Sequence, residues 1–313
     1  MARIPNTHLD VFPLNLGGNT FGWTSDRDAS FKVLDEFVAA GGNFIDTADL
    51  YSVWAEGHED GESEKVIGEW LAARGNRDQV IIATKVGGLP TRPGLSEDNV
   101  EAALDDSLKR LQTDHVDIYY AHYDDENVTI IDQVRHAHSL VESGRVKHLA
   151  LSNFSPERMR EWFETAKAEG LTVPVAIQPQ YNLIHRKDYE QGYRPIATEF
   201  NAAVFPFFAL ASGVLTGKYR SKADIEGKAR QGFAEDLITD EALNVVNAVV
   251  EIAGVHSVEP ATISLAWLLA KGVTAPVASA SNVDQLPALI AAADLQLTND
   301  EVQQLDTASK AFT

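Results

Sequence analysis

The chain reads as a closed α/β barrel, eight parallel strands each followed by a helix, filling residues 1–313 as one domain. Three observations predict this. Eight short apolar runs of β type recur along the sequence, amphipathic segments of helical period separate them, and no linker rich in Pro, Gly or Ser divides the 313 residues. Alternating strand and helix makes the strands parallel, because a crossover helix returns the chain to the same end of the sheet. Eight units in this length favour a (β/α)₈, or TIM, barrel over an open sheet. With 44% apolar and 23% charged residues, the chain can fill a large core.

The elements follow in order. A weak run, Leu14–Gly18, is the first strand, and a capping box at Ser25-Asp26-Arg27-Asp28 opens a helix that Gly41-Gly42 stops. The strands Asn43–Asp49, Val80–Gly87 and His115–Tyr123 come next, with Ser96 capping a helix to about Leu111. After the strand Val146–Phe154, Pro156 takes the first helical position behind Ser155, and Gly170 stops that helix. The strands Val175–Asn182, Ala203–Leu210 and Ala275–Ala280 complete the set, and Glu259-Pro260 opens a helix through Leu269. The most irregular stretch, Lys218–Leu237, carries the cations Lys218, Arg220, Lys222, Lys228 and Arg230, placed to meet an anion at a barrel mouth.

Composition removes whole classes of function. With no cysteine there is no disulfide scaffold, thiolate zinc site, iron–sulfur cluster or cysteine nucleophile. A formal charge of −20 opposes binding to nucleic acid and anionic membranes. The longest strongly apolar stretch, near Ala261–Ala270, is too short to span a bilayer, and MARIPNTHLD lacks the apolar core of a signal peptide, so a cytoplasmic location is expected. Oligomeric state is not legible.

In barrels of this kind reactive groups sit at the C-terminal ends of strands. Reading those ends gives Asp46, Lys85 and His122, with Tyr51 in the loop five residues after Asp46. A carboxylate, an ammonium, an imidazole and a phenol at three consecutive strand ends suit proton transfer. A free tyrosine has a pKa of about 10 and is a reluctant acid. A neighbouring Lys ammonium is expected to lower it, the carboxylate holds the Lys in place, and a neutral His donates to a carbonyl oxygen. That is general acid catalysis of carbonyl reduction, in which the hydride must come from a cofactor.

The motifs FIDTADLY with ESEKVIGEWL, IIATKVG, DIYYAH, LSNFS, IQPQYNL and ALASGVLTGKY occur in order through essentially the whole chain, which resembles the aldo-keto reductases. The resemblance implies a barrel binding an extended nicotinamide dinucleotide without a Rossmann fold, and no G-x-G-x-x-G strand–turn–helix fingerprint is present. It implies that Tyr51 donates the proton, Lys85 and Asp46 tune it, and His122 orients the carbonyl. Ser152, Asn153 and Gln178 match the residues that hold the carboxamide, and Phe207 matches the aromatic stacked on the nicotinamide, though a core position beside Phe205 and Phe208 is the other reading. Gly18, Asn19 and Thr20 sit where the family's first loop approaches the nicotinamide ribose, and Asp46 is a further cofactor contact. Leu210, Ser212, Gly213, Leu215 and Lys218 match the pyrophosphate segment, with Arg230 a further phosphate contact.

The segment PVASASNVDQL departs most from the family. Where other branches carry cations it has Ser279, Ser281 and Gln285, and Ala288 and Leu289 replace an acidic–Asn pair near the adenine. The potassium-channel β-subunit branch has a similar Ser-Asn…Gln pattern and retains NADP(H). The expectation is therefore NADP(H) with a weak preference, and NAD(H) as a possible cofactor. Trp23, Trp54 and Tyr123 are expected to line the pocket for a small carbonyl substrate, and the acidic loop with Glu56, Glu59, Asp60 and Glu62 argues against highly anionic ones.

Two other readings stand beside this one. A metal-dependent hydrolase would use His136 and His138, yet both fall inside a helical pattern and residues two apart on a helix do not face each other. A regulatory or redox-sensing barrel would keep the tetrad and bind the cofactor without sustained turnover.

Overall fold

The computed structural model describes residues 1–227 and 231–313. A hairpin of β1 (Ala2–Arg3) and β2 (Asp10–Val11) comes first. The barrel strands are β3 (Asn15–Gly17), β4 (Phe44–Asp46), β5 (Ile81–Val86), β6 (Val116–Ala121), β7 (Val146–Ser152), β8 (Ala176–Gln178), β9 (Ala203–Val204) and β10 (Val277–Ala278). They form one parallel sheet in the order β10-β3-β4-β5-β6-β7-β8-β9, so every expected strand is present.

The sheet curls until β9 meets β10, where Val277 N–H donates to the Pro206 carbonyl at 2.9 Å and Ala275 N–H to the Val204 carbonyl at 3.4 Å. This seam is sparse for a local reason. Pro206 has no N–H for a ladder, and Phe208 turns left-handed at φ 58°. The expected strand Ala203–Leu210 therefore ends after two residues.

Side chains alternate across the strands, and the two faces form separate cores. Phe44, Ile81, Ala83, Ile118, Tyr120, Ala150, Ala176, Ala203, Phe205 and Ala275 fill the barrel interior. Ile4 and Val11 of the hairpin belong to the same cluster and plug the N-terminal end of the barrel. Outward residues such as Ile45, Ile82, Leu149 and Ile177 pack beneath the helices.

The helices are α1 (Arg27–Ala39), α2 (Glu62–Arg74), α3 (Glu97–Leu111), α4 (Ile130–Glu142), α5 (Pro156–Ala168), α6 (Arg194–Phe200), α7 (Gln231–Ala234), α8 (Asp240–His256), α9 (Pro260–Ala270), α10 (Leu286–Ile290) and α11 (Asn299–Ala308). α5 starts as the sequence predicts, with Ser155 accepting from Arg158 N–H and Pro156 in the first turn. The first cap is corrected by one residue. Asp26, not Ser25, accepts from Ala29 N–H, while Ser25 Oγ donates to the Ser281 carbonyl at 2.6 Å. Ser96 flanks α3 but makes no side-chain cap bond. At Gly68 a Cβ would lie 2.1 Å from the Arg110 carbonyl, so glycine lets α2 and α3 touch backbone to backbone. Among the described residues no single helix is long and apolar enough to cross a membrane.

Candidate active site

Strand alternation builds the site. Two residues beyond the interior positions Phe44, Ala83, Tyr120, Ala150, Ala176 and Phe205 come Asp46, Lys85, His122, Ser152, Gln178 and Phe207. Gly17 and Ser279 occupy the same level on β3 and just past β10, and a Cβ on Gly17 would lie 2.5 Å from Ser279 Oγ. Each of the eight strands thus contributes one residue to a ring at the C-terminal mouth, the reactive end of such barrels.

Lys85 is the hub. Its Nζ donates to Asp46 Oδ1, to Tyr51 Oη at 2.8 Å and to the Thr47 carbonyl at 2.8 Å. Three acceptors match the three N–H groups of an ammonium. Asp46 and Lys85 are both fully buried. Asp46 Oδ2 accepts from Gln178 Nε2 at 2.8 Å, and Tyr51 Oη lies 3.4 Å from Asp46 Oδ1. The Asp46 carboxylate is thus shared between the proton-transfer pair, Lys85 and Tyr51, on Oδ1 and Gln178 on Oδ2.

The electrostatics correct one expectation. Burial raises the Tyr51 hydroxyl well above its ordinary range, and the Asp46 carboxylate raises it further, so the phenol is not made more acidic as the Lys ammonium alone would have it. Burial lowers the Lys85 ammonium, and Asp46 opposes that shift. Burial and then the Lys85 charge hold His122 well below its ordinary range, so its imidazole is neutral at pH 7. The His122 backbone is fixed by Asn153 Nδ2 donating to its carbonyl at 2.9 Å, while its buried Nδ1 has no hydrogen-bond partner among the described residues.

The expected pocket residues come together. The Trp23 and Trp54 rings meet edge-on at 5.7 Å, Trp54 meets Tyr51 at 5.8 Å, Tyr51 faces His122 at 6.4 Å, and His122 lies 4.7 Å from Tyr123. Trp54 and Tyr123 are also among the few exposed large apolar side chains. The result is an aromatic wall leading to the phenol and imidazole. His136 and His138 turn to different partners, the Leu95 carbonyl and Thr172 Oγ1.

Most of the candidate cofactor residues that the structure describes line the rest of the mouth. Asn153 is left-handed at φ 52° and also donates to Ser152 Oγ at 3.0 Å, while Ser152 Oγ donates to the Gln178 carbonyl at 2.9 Å. Phe207 is half-buried, whereas Phe205 is the core ring, packed on Phe44 at 4.9 Å. Phe208, Ala211, Ser212 and Gly213 all have positive φ, an uncommon run that turns the backbone sharply after Leu210. Lys218 Nζ folds back to 2.7 Å from where a Gly213 Cβ would stand. A cation over the glycine of a tight turn fits a diphosphate, and a half-buried ring beside polar strand ends fits a nicotinamide. Leu215 is different: it is fully buried, and its carbonyl accepts from Ser264.

On the other flank, Ser279 Oγ donates to Asn19 Oδ1, and Thr20 Oγ1 donates to the Ala280 carbonyl at 3.0 Å. Gly18 N–H donates to the Asp46 carbonyl at 2.7 Å. Ser281 N–H donates to Gln285 Oε1 at 2.9 Å, and Ser281 Oγ meets Thr24 Oγ1 at 3.1 Å. This rim presents hydroxyls and an amide, with no cation from Ser279 to Gln285. Lys228 and Arg230 lie outside the described residues. Sequence reading missed Thr24 here, and it missed Asp49, a buried second carboxylate three residues after Asp46 whose D-x-x-D spacing was the available signal.

The sequence model of the Aldo/keto reductase family matches residues 13–310. Protein tas of Escherichia coli (strain K12) is 29% identical, with 99% of this chain and 98% of that protein covered. Aryl-alcohol dehydrogenase [NADP(+)] of Phanerodontia chrysosporium is 30% identical over 96% of this chain and 83% of its own length. Norsolorinic acid reductase stcV of Emericella nidulans is 30% identical over 96% and 79%.

Proposed function

The chain belongs to the aldo/keto reductase family and is an oxidoreductase acting on carbonyl and alcohol groups; from that premise we propose that it reduces aldehydes or ketones with NADPH, Tyr51 supplying the proton. The observation that carries this reading is the triple donation of Lys85 to Asp46, Tyr51 and Thr47 beside a neutral His122. Because Lys85 donates to Tyr51 Oη, the phenol keeps its own proton for another acceptor.

When bound, the nicotinamide supplies the hydride to the carbonyl carbon. Ser152, Asn153 and Gln178 would hold its carboxamide, Phe207 its ring face, and Lys218 with the Ser212–Gly213 turn its diphosphate. His122 donates a hydrogen bond to the carbonyl oxygen and polarises it. Tyr51 Oη passes its proton to that oxygen, and the Lys85 ammonium stabilises the phenolate left behind. The high Tyr51 pKa suits the holding of this proton at neutral pH.

The wall of Trp23, Trp54 and Tyr123 favours planar aromatic substrates, in keeping with the relative named aryl-alcohol dehydrogenase [NADP(+)]. Benzaldehyde reduction followed by loss of NADPH absorbance is the test. Tyr51→Phe should lose at least ~100-fold in rate with NADPH binding retained, and near-normal turnover refutes Tyr51 as the donor.

A further inference from the structure

Three carboxylates and two paired cations share one buried region that includes Asp46 and Lys85 of the tetrad. Asp46, Asp49 and Glu64 are all buried, as is Lys85, and the Arg110 side chain is 21% exposed. Lys85 pairs with Asp46, and Arg110 Nε pairs with Glu64 Oε2 at 2.7 Å. Glu64 Oε1 accepts from Thr84. Asp49 is the surplus acid. It makes no ion pair among the described residues, and its buried Oδ1 has no hydrogen-bond partner there.

Asp49 is also joined to the hub of the site, its N–H donating to the Lys85 carbonyl at 3.4 Å. Charged and titratable groups face it from every neighbouring element. Glu64 on α2 repels its charge, while Arg110 on α3 and Arg92 in the loop after β5 attract it. Its own carboxylate acts on Lys85 of β5 and on the Tyr119 hydroxyl of β6.

We propose that Asp49 is a positioning residue for the carbonyl reaction, a surplus carboxylate whose protonation sets the proton affinity of the Lys85–Tyr51 pair. The proposal rests on the reading of Tyr51 as proton donor. Burial and the Glu64 carboxylate push the Asp49 carboxyl up to about 7, inside the working range of pH. With Asp49 protonated, each of the two remaining carboxylates keeps its own cation, Asp46 with Lys85 and Glu64 with Arg110, while Arg92 is paired with Asp106. When Asp49 releases its proton to solvent, the cluster gains one negative charge, which acts on the Lys85 ammonium through space. That charge disfavours the phenolate Tyr51 becomes on reducing a carbonyl, so reduction slows. In the reverse direction Tyr51 must be phenolate to take the proton of an alcohol, so oxidation moves to higher pH.

The test is the pH profile of kcat/KM for benzyl alcohol with NADP⁺ and for benzaldehyde with NADPH, in wild type, Asp49→Asn and Asp49→Glu. Asp49→Asn should move the rising limb of oxidation down by about one pH unit and abolish the fall of reduction near pH 7. Asp49→Glu should restore both features, which a packing defect would not do. A limb unmoved in folded Asp49→Asn overturns the proposal. Should that variant not fold, wild type decides, because reduction without an inflection near 7 overturns it as well. Tyr51→Phe run in parallel separates the two readings. Its normal turnover marks failure of the Tyr51 assignment, whereas an inactive Tyr51→Phe beside an unmoved Asp49→Asn limb marks failure of this one.

Discussion

Gln178 donates from Nε2 to Asp46 Oδ2 at 2.8 Å, tying the end of β8 to the end of β4, four strands away in the sheet and so across the mouth of the barrel. The bond spans the ring of strand ends and fixes the carboxylate that fixes Lys85. It also gives Gln178 a structural duty beside the carboxamide contact proposed for it.

Gln178→Ala should therefore destabilise the protein without any cofactor present. Removing one donor from a buried carboxylate costs about 1.5–3 kcal/mol. Urea unfolding of the cofactor-free protein at pH 7 measures it, and a loss under about 0.5 kcal/mol would mean that Asp46 is held by Lys85 alone.

The bond explains what the sequence disclosed and what it hid. Asp46, Lys85 and His122 were legible because each ends an apolar run, and a barrel turns strand ends into a site, whereas Gln178 was legible only through the motif IQPQYNL. The eight strands were legible from the same runs, although β4, β8, β9 and β10 are all shorter than those runs, β9 because Pro206 and the left-handed Phe208 end its ladder. The sign of the Tyr51 shift was not legible. It depends on how deeply the phenol sits and on Asp46 at 3.4 Å, and no residue pattern states a depth. Asp49 escaped for the same reason: as the last residue of the expected strand Asn43–Asp49 it reads as a solvated strand end until the fold buries it.

That burial has a stability consequence with a definite sign. The Asp49 carboxyl rises from 3.8 to about 7 on folding, so between these values the folded state binds the extra proton. The stability from this group is fully present below the unfolded value, falls as pH rises, and is gone above the folded value. Asp49→Asn lacks this dependence and should gain on wild type between pH 5 and pH 8 by roughly 2–3 kcal/mol, at 1.36 kcal/mol per unit over about two units. Urea unfolding at both pH values checks it; a constant difference between the two proteins contradicts the shift.

Phe207 offers a cleaner test of the cofactor face, because it is half-buried and not part of the core that holds Phe205. Phe207→Ala should leave folding nearly intact and weaken NADPH binding by roughly 1 kcal/mol or more, from lost stacking and buried area. Fluorescence titration gives the dissociation constant, and an unchanged value in a folded variant removes Phe207 from the nicotinamide site.

The flank formed by Ser279, Ser281, Gln285 and Thr24 sets the last expectation, that NADPH binds more tightly than NADH by a modest margin. Hydroxyls and backbone groups can hold a 2′-phosphate, but neutral donors gain about half of what charge-assisted ones do. Part of this rim is already engaged, with Gln285 Oε1 taking the Ser281 N–H and Ser279 Oγ bonded to Asn19. The Ser281 side chain faces Thr24 across 3.1 Å, so a longer side chain at this position has a polar edge to pass along. Ser281→Arg should raise the ratio of NADPH to NADH affinity by about tenfold, the value of one charge-assisted bond to phosphate at roughly 1.4 kcal/mol. It should do so by tightening NADPH, with NADH nearly unchanged, since only the former carries the phosphate. Parallel titrations of wild type and variant decide the matter. Equal affinities in wild type together with an unchanged ratio in Ser281→Arg would mean that this rim does not face the 2′-position.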